Sequence, residues 1–158
     1  MLATDEITVA AAAHIYGVTH MLAAGDTGEA EILVQPSDTA KVLALSSEDS
    51  FPEVFATSRM IALMELAAAR AMRPALQPGQ LSVGVSLNVK HTAPTPIGSR
   101  VRAVATFERN DGKLFIFKVE AFDDAGPVGE GEHSRAIIDT ERLLQGAAKR
   151  GAGRKNPG

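Results

Sequence analysis

The chain of 158 residues has the length of one domain, and its 45% hydrophobic and 22% charged residues exclude a disordered polymer and a membrane bundle. Without cysteine it has no disulfide framework, no thiolate nucleophile and no cysteine-type zinc site, which favours residence in the cytoplasm. A net charge of -3, no tryptophan and one tyrosine leave neither the basic surface nor the stacking platforms of a nucleic-acid binder.

In chain order, Asp5 and Glu6 precede a weakly apolar stretch that His14, His20 and several threonines interrupt, so neither an export signal nor a membrane span is read there. Positions 1–25 are expected to form a flexible N-terminal extension and positions 26–142 the folded domain. Ala30 to Leu45 reads as two short extended pieces broken by Pro36-Ser37-Asp38. Val54 to Met72 is an apolar run rich in Met, Leu and Ala, all strong helix formers, and Pro74 with Pro78-Gly79 stops it.

From Leu81 the period changes to two. Val83, Val85, Leu87 and Val89 alternate with Ser82, Gly84, Ser86 and Asn88, as one half-buried strand requires. A second strand starts at Val101, and Asn110-Asp111-Gly112 supplies a hairpin turn into a third, Lys113 to Phe122. After a turn at Asp123 to Pro127, Val128 to Ile138 reads as a fourth. The fold class is α+β, an antiparallel meander wrapped around one long helix. Strands so long and apolar leave edges that a homodimer would cover. Positions 143–158 are expected to be a basic, disordered tail, because Lys149 to Gly158 holds four basic residues, three glycines and a proline.

Glu65 is the most informative residue for chemistry. Its helical neighbours at three and four positions are Ile61, Ala62, Ala68 and Ala69, and Arg59, Arg70 and Arg73 fall on a different stripe, about 80 to 140° round the helix. A carboxylate on that apolar face must sit at a groove, accept hydrogen bonds, or resist ionisation. His91 continues the apolar side of its strand and ends it, where side chains meet clefts. Thr57 opens the helix, about 12 Å of rise before Glu65. It either caps the helix through a backbone N–H or turns its hydroxyl to substrate beside the positive end of the helix dipole. No P-loop, GxGxxG or HExxH is present, so neither a metal nor a nucleotide cofactor is expected.

At these residues the sequence resembles the fluoroacetyl-CoA thioesterase family, a group with the hotdog fold. The resemblance runs from Phe51-Pro52-Glu53-Val54-Phe55-Ala56-Thr57 through Leu63-Met64-Glu65 and Arg70-Ala71-Met72 to His91-Thr92-Ala93 and Thr95-Pro96, and resumes at Gly129 to Ala136. It implies an acyl-CoA thioesterase with Thr57, Glu65 and His91 as the catalytic set, Gly84 and Arg135 against the acyl group, and Phe51 in a hydrophobic lid. Coenzyme A would be part of the substrate, with no separate cofactor. The family's other lid aromatic, three residues before Phe51, is Glu48 here, and a charged side chain is a poor gate against water. Met21 falls near where a family member would begin. Two rivals share acyl-CoA binding: a hotdog hydratase or dehydratase, whose aspartate and histidine pair five apart is not evident near His91, and a non-catalytic binding module.

Overall fold

A computed structural model describes residues 21–153. Five strands, β1 (Thr27–Leu33), β2 (Gln80–His91), β3 (Arg100–Asp111), β4 (Leu114–Asp123) and β5 (Gly126–Asp139), form one antiparallel sheet in the order β1-β3-β4-β5-β2. Helix α1 (Thr57–Met72) lies across it, and α2 (Thr140–Ala152) follows β5. The extension expected over 1–25 falls for its first twenty positions outside the described residues, as do the last five positions of the tail.

The helix packs because every third or fourth residue on one face is apolar. Met60, Leu63, Met64, Ala67, Ala68, Ala71 and Met72 are buried against Val101, Ala103 and Ala105 of β3 and Phe117, Val119 and Ala121 of β4. Each buried methionine contributes about 1.5–3 kcal/mol. Alanines bring the helix close to the sheet, so close that a Cβ at Gly28 of β1 would run into the backbone of Ala67 and Ala71. The hairpin expected at Asn110-Asp111-Gly112 forms between β3 and β4, with Gly112 at φ 57°.

Four expectations change. The helix begins at Thr57, not Val54, because the backbone there is engaged elsewhere: Ala40 N–H donates to the Val54 carbonyl and Phe55 N–H to that of Thr95. The second extended piece, after Pro36-Ser37-Asp38, is instead a short 3-10 turn, Ala40–Leu43. The tail expected to be irregular from 143 onward is helical as far as Ala152. Asp139 caps that helix by accepting from the Arg142 N–H, while Glu141 in the first turn and Lys149 and Arg150 in the last suit the dipole.

The fourth change positions the site. Pairing between β2 and β5 shifts after Gly84, which faces Arg135, so that Ser86 faces Ser134 and Val85 is the extra residue of a β-bulge. Alternation therefore flips within β2. Ser82 and Gly84 face α1 before the bulge, and Leu87, Val89 and His91 face it afterwards. Val85, expected on the buried side, is 55% exposed. The bulge lies beside the middle of α1, where Gly84 faces Glu65.

Candidate active site

Two polar clusters flank α1. The first joins its start to the end of β2. Thr57 is the first helical residue, and the preceding Ala56 is the cap position and makes no side-chain cap. The Thr57 hydroxyl is therefore free of capping and lies 2.8 Å from His91 Nδ1 in a hydrogen bond. Of the two readings open for Thr57, the cap is not the one adopted. The His91 ring stands edge-on to Phe55, centroids 6.4 Å apart, and its Nε2 is buried with no hydrogen-bond partner among the described residues. Burial holds His91 below the ordinary imidazole value, opposed by a backbone contact at Ala93. A neutral ring with one bare nitrogen suits proton transfer to or from a bound group.

The second cluster surrounds Glu65. Its side chain is 40% exposed, and Oε1 lies 4.0 Å from Nη1 of Arg135. Gly84 leaves the space this carboxylate occupies, since a Cβ there would collide with Oε1. Helix periodicity offered Glu65 no basic partner, and none stands on the helix. The partner comes from β5, across the bulge.

Arg135 is held in turn. Its side chain is 7% exposed, with Nε donating to Ser82 Oγ at 3.0 Å and Nη2 to the Ser82 carbonyl at 2.8 Å. Nη1 reaches the Glu65 carbonyl at 3.4 Å and His133 Nε2 at 3.1 Å. Burial pulls the guanidinium below its ordinary value and Glu65 opposes the shift. His133 is 0% exposed, and its Nδ1 lies 2.9 Å from the Ser86 carbonyl. Burial likewise lowers His133, with the Ser86 bond opposing and Arg135 adding to the shift. Sequence reasoning did not single out His133 or Ser82. The signal for His133 was available, since it stands two residues before Arg135 and so on the same face of a strand.

The remaining candidate, Phe51, is 45% exposed in the loop ahead of α1. That loop is pinned at its base by a Thr39–Phe55 bridge and by Arg59, whose guanidinium contacts Asp38 Oδ1 at 2.9 Å. Glu48 in the same loop is also exposed. The site residues thus fall into two groups on one chain, Thr57 with His91, and Glu65 with Gly84 and Arg135. The groups are about 12 Å apart along the helix axis, at 1.5 Å per residue. Among the described residues no three His, Asp or Glu side chains converge as they would round a metal ion, and no helix is long and apolar enough to cross a membrane.

Comparison with known proteins identifies the family and the fold. Residues 34–141 match the model of the FlK family, described as fluoroacetyl-CoA-specific thioesterase. A fluoroacetyl-CoA thioesterase of Streptantibioticus cattleyicolor is 40% identical over 115 residues, which cover 72% of this chain and 83% of that protein. The solved structure of the fluoroacetyl-CoA thioesterase FlK superimposes with a TM-score of 0.77 at 36% identity, covering 82% of this chain and 98% of FlK. A hot-dog-like protein from Thermanaerovibrio acidaminovorans superimposes with a TM-score of 0.71 at 27% identity, covering 83% of this chain and 94% of that one.

Proposed function

The chain belongs to the fluoroacetyl-CoA-specific thioesterase family and is a thioester hydrolase of the hotdog fold, and from that premise we propose that it hydrolyses a short-chain acyl-CoA to the free acid and coenzyme A through Thr57, Glu65 and His91. The observation that carries this reading is the Glu65 carboxylate, half-exposed beside the buried face of α1 and seated over Gly84, where a Cβ would displace it.

Glu65 acts on the thioester carbonyl in one of two balanced ways. As nucleophile its oxygen bonds to the carbonyl carbon, the C–S bond breaks, coenzyme A leaves as thiolate, and water cleaves the resulting anhydride. As general base it takes a proton from water while the water oxygen bonds to the carbonyl carbon, after which the C–S bond breaks and coenzyme A leaves as the thiol with the proton Glu65 held. His91, neutral and with Nε2 bare, orients or activates the water, and Thr57 fixes the ring through Nδ1. The first N–H groups of α1 have no intrahelical acceptor and lie at the positive end of the dipole, so they favour the tetrahedral oxyanion. Gly84 and Arg135 line the acyl side, and Phe51 belongs to a lid over it. The reaction needs no cofactor beyond the coenzyme A of the substrate.

The working unit is a homodimer. Thr57 and Glu65 stand too far apart on one helix to meet at one carbonyl, and β2, of 12 residues, is an edge strand with one side unpaired among the described residues. Pairing of two β2 edges would lay the two helices side by side in opposite directions. Thr57 and His91 of one subunit would then face Glu65 of the partner subunit. The reading goes with residence in the cytoplasm.

Thiol release from acetyl-, fluoroacetyl-, short branched and aromatic acyl-CoA, run beside Glu65→Gln, tests the reaction. Hydrolysis that the substitution abolishes supports the reading. A hydrated acyl-CoA without thiol release, or binding without turnover, would overturn it.

A further inference from the structure

His133 is a fully buried titratable group that the proposed chemistry does not use. Its two nitrogens are nevertheless both committed, and the chemistry of their partners leaves one arrangement. The Ser86 carbonyl only accepts, so Nδ1 carries the proton and donates to it across 2.9 Å. Arg135 only donates, so Nε2 offers its lone pair to Nη1 across 3.1 Å. An imidazolium would set Nε2–H against Nη1–H and break the second bond.

Resting on the thioesterase reading, we propose that His133 is a positioning residue, which holds the Arg135 guanidinium just short of Glu65 and so keeps the carboxylate available for reaction. Two of the three guanidinium nitrogens are tied to Ser82, which leaves Nη1 as the one that reaches toward Glu65. Nη1 stops 4.0 Å from Oε1, outside the roughly 2.7–2.9 Å of a charge-assisted hydrogen bond. At that distance the cation stands beside Glu65 without occupying its lone pairs. With the His133 acceptor removed, Nη1 keeps only the long contact to the Glu65 carbonyl, and the attraction of the carboxylate draws it into a direct pair. A carboxylate so paired is a poorer nucleophile and a weaker base.

The charged groups that face His133 are Arg135 on its own strand and Glu65 from α1. Its neighbours in register are Phe117 of β4 and Leu87 of β2, which do not titrate. The Ser86 carbonyl that fixes the tautomer belongs to the strand residue immediately after the bulge. The same ring therefore links the bulge that clears Glu65 to the cation that steadies it.

The test uses the full-length protein with His133→Leu, which removes the acceptor, and His133→Gln, which retains one, each with and without Arg135→Ala. In thiol release, His133→Leu is expected to lower kcat about a hundredfold with KM little changed. His133→Gln should recover most of that loss, and in the Arg135→Ala background the two substitutions should turn over alike. An equal loss with and without Arg135, or Gln no better than Leu, overturns the proposal. Should His133→Leu fail to fold, the imidazole nitrogen spectrum of the ¹⁵N-labelled wild type decides. A protonated Nδ1 with a bare Nε2 that responds to Arg135→Ala is expected, and an Nε2–H tautomer at neutral pH overturns the idea. Absence of thiol release from the wild type would instead sink the thioesterase reading and leave the tautomer result standing, so the two failures are told apart.

Discussion

Arg135 reaches Glu65 from the opposite side of the β2 bulge, Nη1 to Oε1 at 4.0 Å, while its other nitrogens are spent on Ser82. The cation is thus fixed by the sheet and the anion by the helix, and each limits what the other can do. Replacing the fork tests its role. Arg135→Lys keeps the charge but cannot make the Ser82 and His133 contacts together. Arg135→Ala leaves the Ser82 carbonyl and His133 Nε2 without a donor, at a cost of about 1–3 kcal/mol in stability. Both are expected to change the ranking of acyl-CoA substrates by kcat/KM, and an unchanged ranking in a folded variant would remove Arg135 from the acyl site.

Gly84 is the matching test from the sheet. A methyl group there meets Glu65 Oε1, the far end of a flexible side chain, so Gly84→Ala should fold and displace the carboxylate instead of breaking the strand. The expected cost is about 1–3 kcal/mol in stability, with kcat down about a hundredfold. Wild-type turnover in Gly84→Ala would mean that Glu65 does not work from this position.

Thr57 separates a capping role from a role at His91. Because Ala56 is the cap position, Thr57→Val should leave the melting temperature near that of the wild type, whereas losing a true cap costs about 1 kcal/mol. Activity should nevertheless fall, by about tenfold to a hundredfold, as the His91 ring loses its 2.8 Å hydrogen bond. A drop in stability with activity retained would reverse the assignment.

The two lowered imidazoles set an expected pH dependence. His91 and His133 both lie below 6.5 in the folded protein, chiefly through desolvation. Well above 6.5 both are neutral whether folded or not, and their contribution to stability is complete. As pH falls below 6.5 the unfolded chain takes up protons that the folded chain does not, and stability declines until the folded values are passed. Between about pH 5 and 6.5, where most carboxylates stay ionised, melting temperature and thiol release should fall together. A melting temperature that rises on acidification through this window would contradict the neutral state of both rings.

Much of this site was legible before the fold was known, for reasons that differ by residue. Glu65 and His91 stood out because a charged or polar side chain on an apolar periodic face is costly in any fold. Thr57 was ambiguous because a hydroxyl at a helix start has two uses, and only the position of His91 in space separates them. The bulge left no mark, since Val83 and Val85 look alike in a period-two pattern and a one-residue shift is set by the partner strand. Arg135 came from resemblance alone and its pairing with Glu65 from the tertiary structure, 70 residues away in sequence. The helix after β5 was missed because composition was weighed over Lys149 to Gly158, while its cap, Asp139, and its first turns lie before that range.

The most direct measurement for the account as a whole is subunit complementation. Glu65→Gln and His91→Ala, each inactive alone, are mixed, partly unfolded and reassociated, and thiol release is assayed. Sites built from Thr57 and His91 of one subunit and Glu65 of the other give each mixed dimer one intact site, so activity should return to about a quarter of wild type for random pairing, half the dimers being mixed with one of two sites intact. Mixed dimers that form and remain inactive would contradict the shared site and return all three residues to a single chain.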